Sequence, residues 1–247
     1  MPILIVVTLA AQGICIYHAM RNGNDRWLWI LLMLPGLGCA AYALSFIAPE
    51  LFGSFGVQRA ARKVLRSWDP ERDRRNLGRN LEIVDSHDNR RALAAESLSL
   101  GDFCRATELY RSCLVGLYEH EPLYLLGLAQ AQFGSAKFAE SKATLELLIK
   151  HNPEFRSEEG HLLYARSLAA LGSHDAAIAE FEVLKTGYHG EQARYCYAEL
   201  LITLGREQQA KPILQELIKR SELAPKHYQK AQREWLKKAE VALNSLS

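Results

Sequence analysis

The sequence is poor in the patterns that carry chemistry. Its five cysteines, Cys15, Cys39, Cys104, Cys113 and Cys196, are scattered and form no C-x-x-C pair. That spacing excludes the common zinc ribbons and the disulfide framework of a small secreted domain. They read instead as small apolar residues of a reducing compartment. None of the eight histidines stands in an H-E-x-x-H pattern, and there is neither a phosphate-cradling glycine loop nor a G-x-S-x-G turn. His161 beside Glu158 and Glu159 invites an acid–base reading, but acids in a first helical turn are explained by the helix dipole. No cofactor, metal or catalytic residue is expected, and the chain reads as a non-enzyme. A net charge of +2 gives no field that would hold nucleic acid.

Charge is also missing locally. Pro2 to Met20 and Trp27 to Ala48 contain no Asp, Glu, Lys or Arg. At a 1.5 Å rise, about 20 such residues cover the ~30 Å hydrocarbon core of a bilayer. The expectation for residues 1–50 is a two-helix transmembrane hairpin joined by the polar loop Arg21-Asn22-Gly23-Asn24-Asp25-Arg26. Trp27 and Trp29 sit at an interfacial belt. Ala10 with Gly13 and Gly36 with Ala40 allow close helix packing, and Pro35-Gly36 kinks the second helix. Basic residues after that helix outnumber those in the loop, so both termini are expected on the cytoplasmic side of a plasma membrane.

Residues 51–85 follow as linker helices. Val57, Ala61, Val64, Leu65 and Trp68 share one helical face, with Arg59, Arg62, Lys63 and Arg66 on the other. Such a helix beside a membrane contacts anionic lipid, at about 1 kcal/mol per basic residue, or serves as a linker with a solvated face. Asp69-Pro70-Glu71 then caps a polar helix running to about Val84.

From residue 86 to 224 one template recurs: a small residue, a turn, a second small residue and a large apolar residue. It is clearest from Leu162 to Leu184, with Ala165, Leu168, Gly172, Ala177, Phe181 and Leu184. Ala198, Gly205, Ala210, Leu214 and Leu217 repeat it downstream, and Ala94, Gly101, Ala106, Tyr110 and Leu114 upstream. A fourth hairpin is read on Gly127, Gly134, Ala139, Ala143 and Leu147. The turn glycines Gly101, Gly134, Gly172 and Gly205 are then 33, 38 and 33 residues apart. Small residues at helix crossings let two axes approach to about 8–10 Å. Residues 225–247 read as a capping helix with Tyr228, Ala231, Trp235, Ala239 and Ala242 on its inner side.

This recurrence resembles the tetratricopeptide repeat, a helix–turn–helix of about 34 residues. The resemblance implies an all-α solenoid and a binding scaffold. His18 to Gly23, Trp27-Leu28-Trp29, Leu34 to Gly38 and Ala41-Tyr42 resemble the N-terminal membrane hairpin of bacterial cardiolipin synthases of the phospholipase D superfamily. The H-x-K-x-x-x-x-D motif of that superfamily is absent: His227 is followed by Tyr228-Gln229. Hairpin and repeats together are similar to bacterial membrane-anchored repeat proteins.

In stacked hairpins the first helix of each repeat floors the groove. Registering the repeats on Ala94, Gly127, Ala165 and Ala198 places Arg91, Tyr124, Leu128, Leu162, Arg166, Tyr195 and Glu199 there. The expected partner is an extended or helical segment of another protein, and self-association is the other contact open to such an array. The chain is thus read as a membrane-anchored protein–protein interaction scaffold. The alternative is a non-catalytic accessory factor of phospholipid or cell-envelope synthesis that acts through its hairpin.

Overall fold

The computed structural model describes residues 2–21, 26–33, 35–42, 45 and 69–246, with side chains of the first helix described from Gln12 onward. The chain divides into two compact units, Met1–Arg72 and Asp73–Ser247. The basic helix expected around Arg59, Arg62, Lys63 and Arg66, and the loop at residues 22–25, lie outside the described residues.

In the first unit, α1 is Pro2–Arg21, α2 is Arg26–Met33 and α3 is Pro35–Tyr42. The second apolar stretch is therefore not one spanning helix. The chain also doubles back. The Trp27 and Tyr42 rings lie 5.7 Å apart, and a Cβ on Gly38 would stand 2.8 Å from the Ile30 carbonyl oxygen. Each of these eight-residue helices is only about 12 Å long at the standard rise. Among the described residues no helix is long and apolar enough to cross a membrane. Cys15, Ala19, Leu31, Cys39 and Tyr42 form the buried centre of this unit. Ile14, Tyr17, Met20, Trp29, Leu32 and Met33 remain exposed.

The second unit is α-helical throughout its described elements. α4 (Arg72–Ile83) lays Leu77 and Leu81 against the first repeat. Four helical hairpins follow: α5 (His87–Ser99) with α6 (Phe103–Cys113), α7 (Pro122–Gly134) with α8 (Phe138–His151), α9 (Glu158–Ala170) with α10 (His174–Gly187), and α11 (Gln192–Thr203) with α12 (Glu207–Leu223). α13 (Lys226–Ser245) closes the array. Local sequence sets several starts: Ser86, Asp102 and Ser157 each accept a backbone N–H three residues on, satisfying a donor the helix cannot.

Each hairpin turns through the same motif. At these turns the residues in the left-handed region are Gly101, Ala136, Gly172 and Gly205, with φ of 79°, 58°, 76° and 71°. In each case the next residue donates to a carbonyl five back: Asp102 to Ser97, Lys137 to Gln132, Ser173 to Leu168 and Arg206 to Leu201. This is the Schellman cap. The second turn therefore falls on Ala136 and not on Gly134, and the turns are 35, 36 and 33 residues apart.

That shift corrects the second repeat by two residues. The small residues at the crossings are Ala94, Ala129, Ala165 and Ala198 in the first helices and Ala106, Ser141, Ala177 and Ala210 in the second, all 0% exposed. The large residues beneath them are Tyr110, Leu145, Phe181 and Leu214. Ala139, read from sequence as the small crossing residue, and Ala143, read at the large position after it, are both exposed. Gly127 and Gly134 have another role: a Cβ would sit 2.3 Å from the Tyr110 ring in one and 2.4 Å from the Phe103 ring in the other. They admit the aromatic side chains of the preceding repeat.

Candidate partner-binding groove

The shift also relocates part of the expected groove. Tyr124 and Leu128 are 5% and 6% exposed and belong to the core between the first and second repeats, with Leu93, Tyr110 and Cys113. Neither offers a surface. Two residues on in the corrected register stand Leu126, also buried at 9%, and half-buried Gln130, and of the two only Gln130 reaches the groove surface. Leu162 is likewise buried, at 3%. Arg91 and Glu199 are exposed, and Arg166 and Tyr195 are half-buried.

A cleft of about 530 Å³ opens between the second and third repeats, with Gln130, Phe133, Glu159, Arg166, Tyr188 and Gln192 on its walls. The Arg166 guanidinium carbon lies 4.6 Å from the Phe133 ring centroid, a cation–π contact that helps hold a long side chain in place. The guanidinium lines the cleft together with Gln130 and Gln192. The set can grip a polar backbone or a carboxylate while Phe133 and Tyr188 receive apolar groups. Burial raises the Tyr188 hydroxyl above its usual range, helped by Glu159 and Glu158 and opposed by Arg166, so it stays a hydrogen-bond donor. Phe133, Tyr188, Gln130 and Gln192 went unread in the sequence.

The groove row ends at Tyr195, whose hydroxyl donates to Glu199 at 3.1 Å. Burial, the Glu199 charge and that hydrogen bond push it up to about 12. Cys196 beside it is pushed up to about 11, by burial first, and is a thiol rather than a thiolate at neutral pH.

A second cleft, of about 400 Å³, has an apolar wall of Leu126, Leu145, Leu148, Ile149 and Phe155. At its edge His161 Nε2 meets Glu180 at 2.7 Å. Glu158 is engaged elsewhere: it accepts from the His189 backbone N–H at 2.9 Å and pairs with that residue's ring. These His189 bonds hold the Glu158 carboxyl below its usual range. His161 and Glu158 thus serve two separate contacts, one to the next helix and one to the loop before α11. Among the described residues no group of three or more His, Cys, Asp or Glu side chains could hold a metal ion.

The arrangement of stacked helical pairs is similar to a solved structure, that of a thermophilic TPR protein from Thermus thermophilus. The TM-score is 0.55 at 21% identity, over 76% of this chain and 98% of that one. The likeness establishes a TPR-like α-solenoid fold. Neither the models of known protein families nor the curated proteins give a match to the sequence.

Proposed function

We propose that the chain is a protein–protein interaction scaffold that holds a segment of a partner protein in the cleft between α7, α9 and α11. The observation that carries this reading is the open cleft that Arg166, held over the Phe133 ring, lines together with Gln130, Gln192 and Tyr188. Among the described residues nothing consumes those donors in a catalytic arrangement, and repeat folds of this kind work through protein partners. A photo-crosslinker placed at Gln130 of the full chain tests it. It should capture a discrete partner, capture should be lost with Arg166→Glu, and a crosslinker at exposed Glu216 should capture none. Equal capture from both positions would overturn the reading.

The first unit we assign to attachment at a membrane, with the repeats on the cytoplasmic side. Support comes from its uncharged 2–20 stretch and from the density of large apolar side chains it leaves uncovered. Tyr17, Met20, Trp29 and Met33 are 67%, 63%, 73% and 77% exposed, and exposed large apolar side chains on a small unit mark a contact surface where they adjoin. Full-length protein should remain with membranes after an alkaline carbonate wash. Recovery in the supernatant would place a protein partner, rather than lipid, on that surface.

A further inference from the structure

At the far end of the groove row the chain fills a site with its own side chain. Tyr195 on α11 and Trp235 on α13 are half-buried, with ring centroids 5.7 Å apart at 41°. The ammonium of Lys238, one turn beyond Trp235, lies 4.4 Å from the Trp235 centroid and 6.0 Å from that of Tyr195. Glu234 holds the same ammonium at 2.7 Å, and Glu199, bonded to the Tyr195 hydroxyl, stands at the rim. Two aromatic faces and the Glu234 carboxylate thus gather around one cation, with Glu199 bonded to the outer end of one ring. An aromatic face attracts a cation through its quadrupole, and more strongly when water is kept away.

The rings and the lysine differ in how firmly they are held. Tyr195 packs on the core of the last repeats, whereas the Lys238 and Glu234 side chains are 44% and 67% exposed. Swinging Lys238 outward gives up one exposed ion pair and its two ring contacts, all at the surface. It leaves an aromatic corner with the Glu234 carboxylate unpaired and the Glu199 carboxylate held at the Tyr195 hydroxyl.

We propose that this corner receives an arginine or lysine side chain of the bound partner, and that Lys238 is its internal competitor. The proposal rests on the groove reading, since Tyr195 and Glu199 continue the row of first-helix residues from Gln130 and Arg166. It adds a polarity to the partner: a basic residue at the α13 end. Occupancy by Lys238 reduces the fraction of chains ready to bind, and removing it raises the apparent affinity in proportion.

The test uses the full chain and the indole N–H resonance of Trp235, identified by its loss in Trp235→Phe. N-acetyl-L-argininamide should shift this resonance, and its uncharged isostere N-acetyl-L-citrullinamide should not. Lys238→Ala should bind the arginine probe about three to ten times more tightly, and Glu199→Gln should weaken it by a similar factor, as expected for a partly desolvated cation–π site. Equal responses to the two probes, or no gain in Lys238→Ala, would overturn the proposal. So would a response to phosphocholine with none to the arginine probe, which would make the corner a headgroup site. None of these outcomes depends on partner capture at Gln130, so the two readings fail separately.

Discussion

Tyr228 of the capping helix donates a 2.9 Å hydrogen bond to Glu191, whose side chain is 0% exposed. The same carboxylate pairs with Arg194 at 3.2 Å, itself 3% exposed, and the Glu191 backbone N–H donates to Gln232 of the capping helix at 3.1 Å. One buried acid therefore ties α11 to α13. It closes the apolar end of the array with specific bonds where a solenoid otherwise leaves a sticky face.

Removing one partner of a buried ion pair leaves the other uncompensated, at about 3–5 kcal/mol. Glu191→Ala should lower the unfolding free energy by that order in urea titrations of the full chain. Glu191→Leu combined with Arg194→Met should recover most of the loss, because no buried charge remains. A double variant no more stable than Glu191→Ala would mean that the hydrogen bonds to α13, and not the charge pairing, hold the end closed.

The second prediction concerns the one hairpin turn without glycine. Ala136 sits at φ 58°, where a Cβ costs roughly 1–2 kcal/mol and glycine costs nothing sterically. Ala136→Gly should stabilise the protein by about 1 kcal/mol after the entropy of glycine is subtracted. Gly172→Ala, at φ 76°, should destabilise it by a similar amount. The melting temperatures should move in opposite directions.

That alanine explains how far the fold was legible. Three turns carry glycine and fall in register, so the repeat class and the first, third and fourth hairpins could be read from spacing alone. In the second repeat the nearest glycine, Gly134, lies two residues early and has a packing role against Phe103. Anchoring on it displaced both helices, putting Tyr124 and Leu128 on the floor and Ala143 where Leu145 belongs. The misfit at Ala143, a small residue at a large position, was the available signal. Phe133 and Tyr188 had no such signal, because residues near helix ends reach the cleft only through the way consecutive hairpins stack. At the N-terminus, hydropathy measured the length of the second apolar stretch but not the reversal that brings Tyr42 back to Trp27.

The corrected register is itself testable. Ser141→Arg should unfold the second repeat, since Ser141 is 0% exposed at a helix crossing and donates to the Ala129 carbonyl at 2.9 Å. Overpacking together with a buried charge costs roughly 3 kcal/mol or more. Ala143→Arg, on the exposed face, should change stability by less than about 0.5 kcal/mol. Ala165→Glu and Ala177→Arg, also at 0% exposed positions, should behave like Ser141→Arg. Circular dichroism melts of Ser141→Arg and Ala143→Arg separate the two registers, and the other two variants calibrate the size of the loss.

Alkaline titration should find the clamp. Burial, then the hydrogen bond to Glu191 and its charge, raise the Tyr228 hydroxyl from 10.0 to about 12. The folded state therefore holds this proton more tightly than the unfolded one. Its contribution to stability is complete below pH 10 and is lost as pH rises towards about 12. Phenolate absorbance should show Tyr228 ionising late, and Tyr228→Phe should flatten the fall in stability across that window. Because the residue is half-exposed, solvent screening keeps the effect modest.

The last prediction separates groove from core among the aromatic and charged residues of the middle repeats. Tyr124 is buried against Leu93, Tyr110 and Cys113, so Tyr124→Ala should cost about 3–5 kcal/mol through the cavity it leaves. Partner capture would then fall only as the folded fraction falls. Arg166→Glu removes a contact with Phe133 worth about 0.5–1 kcal/mol at a half-exposed site, so the melting temperature should barely move. It also reverses the charge between Gln130 and Gln192, where a partner's polar backbone or carboxylate would have to sit, and capture at Gln130 should disappear. Arg166→Lys keeps the charge but not the flat donor array, and capture should be weakened rather than lost. If Tyr124→Ala abolishes capture while leaving stability unchanged, Tyr124 faces the partner and the two-residue shift of the second repeat is wrong.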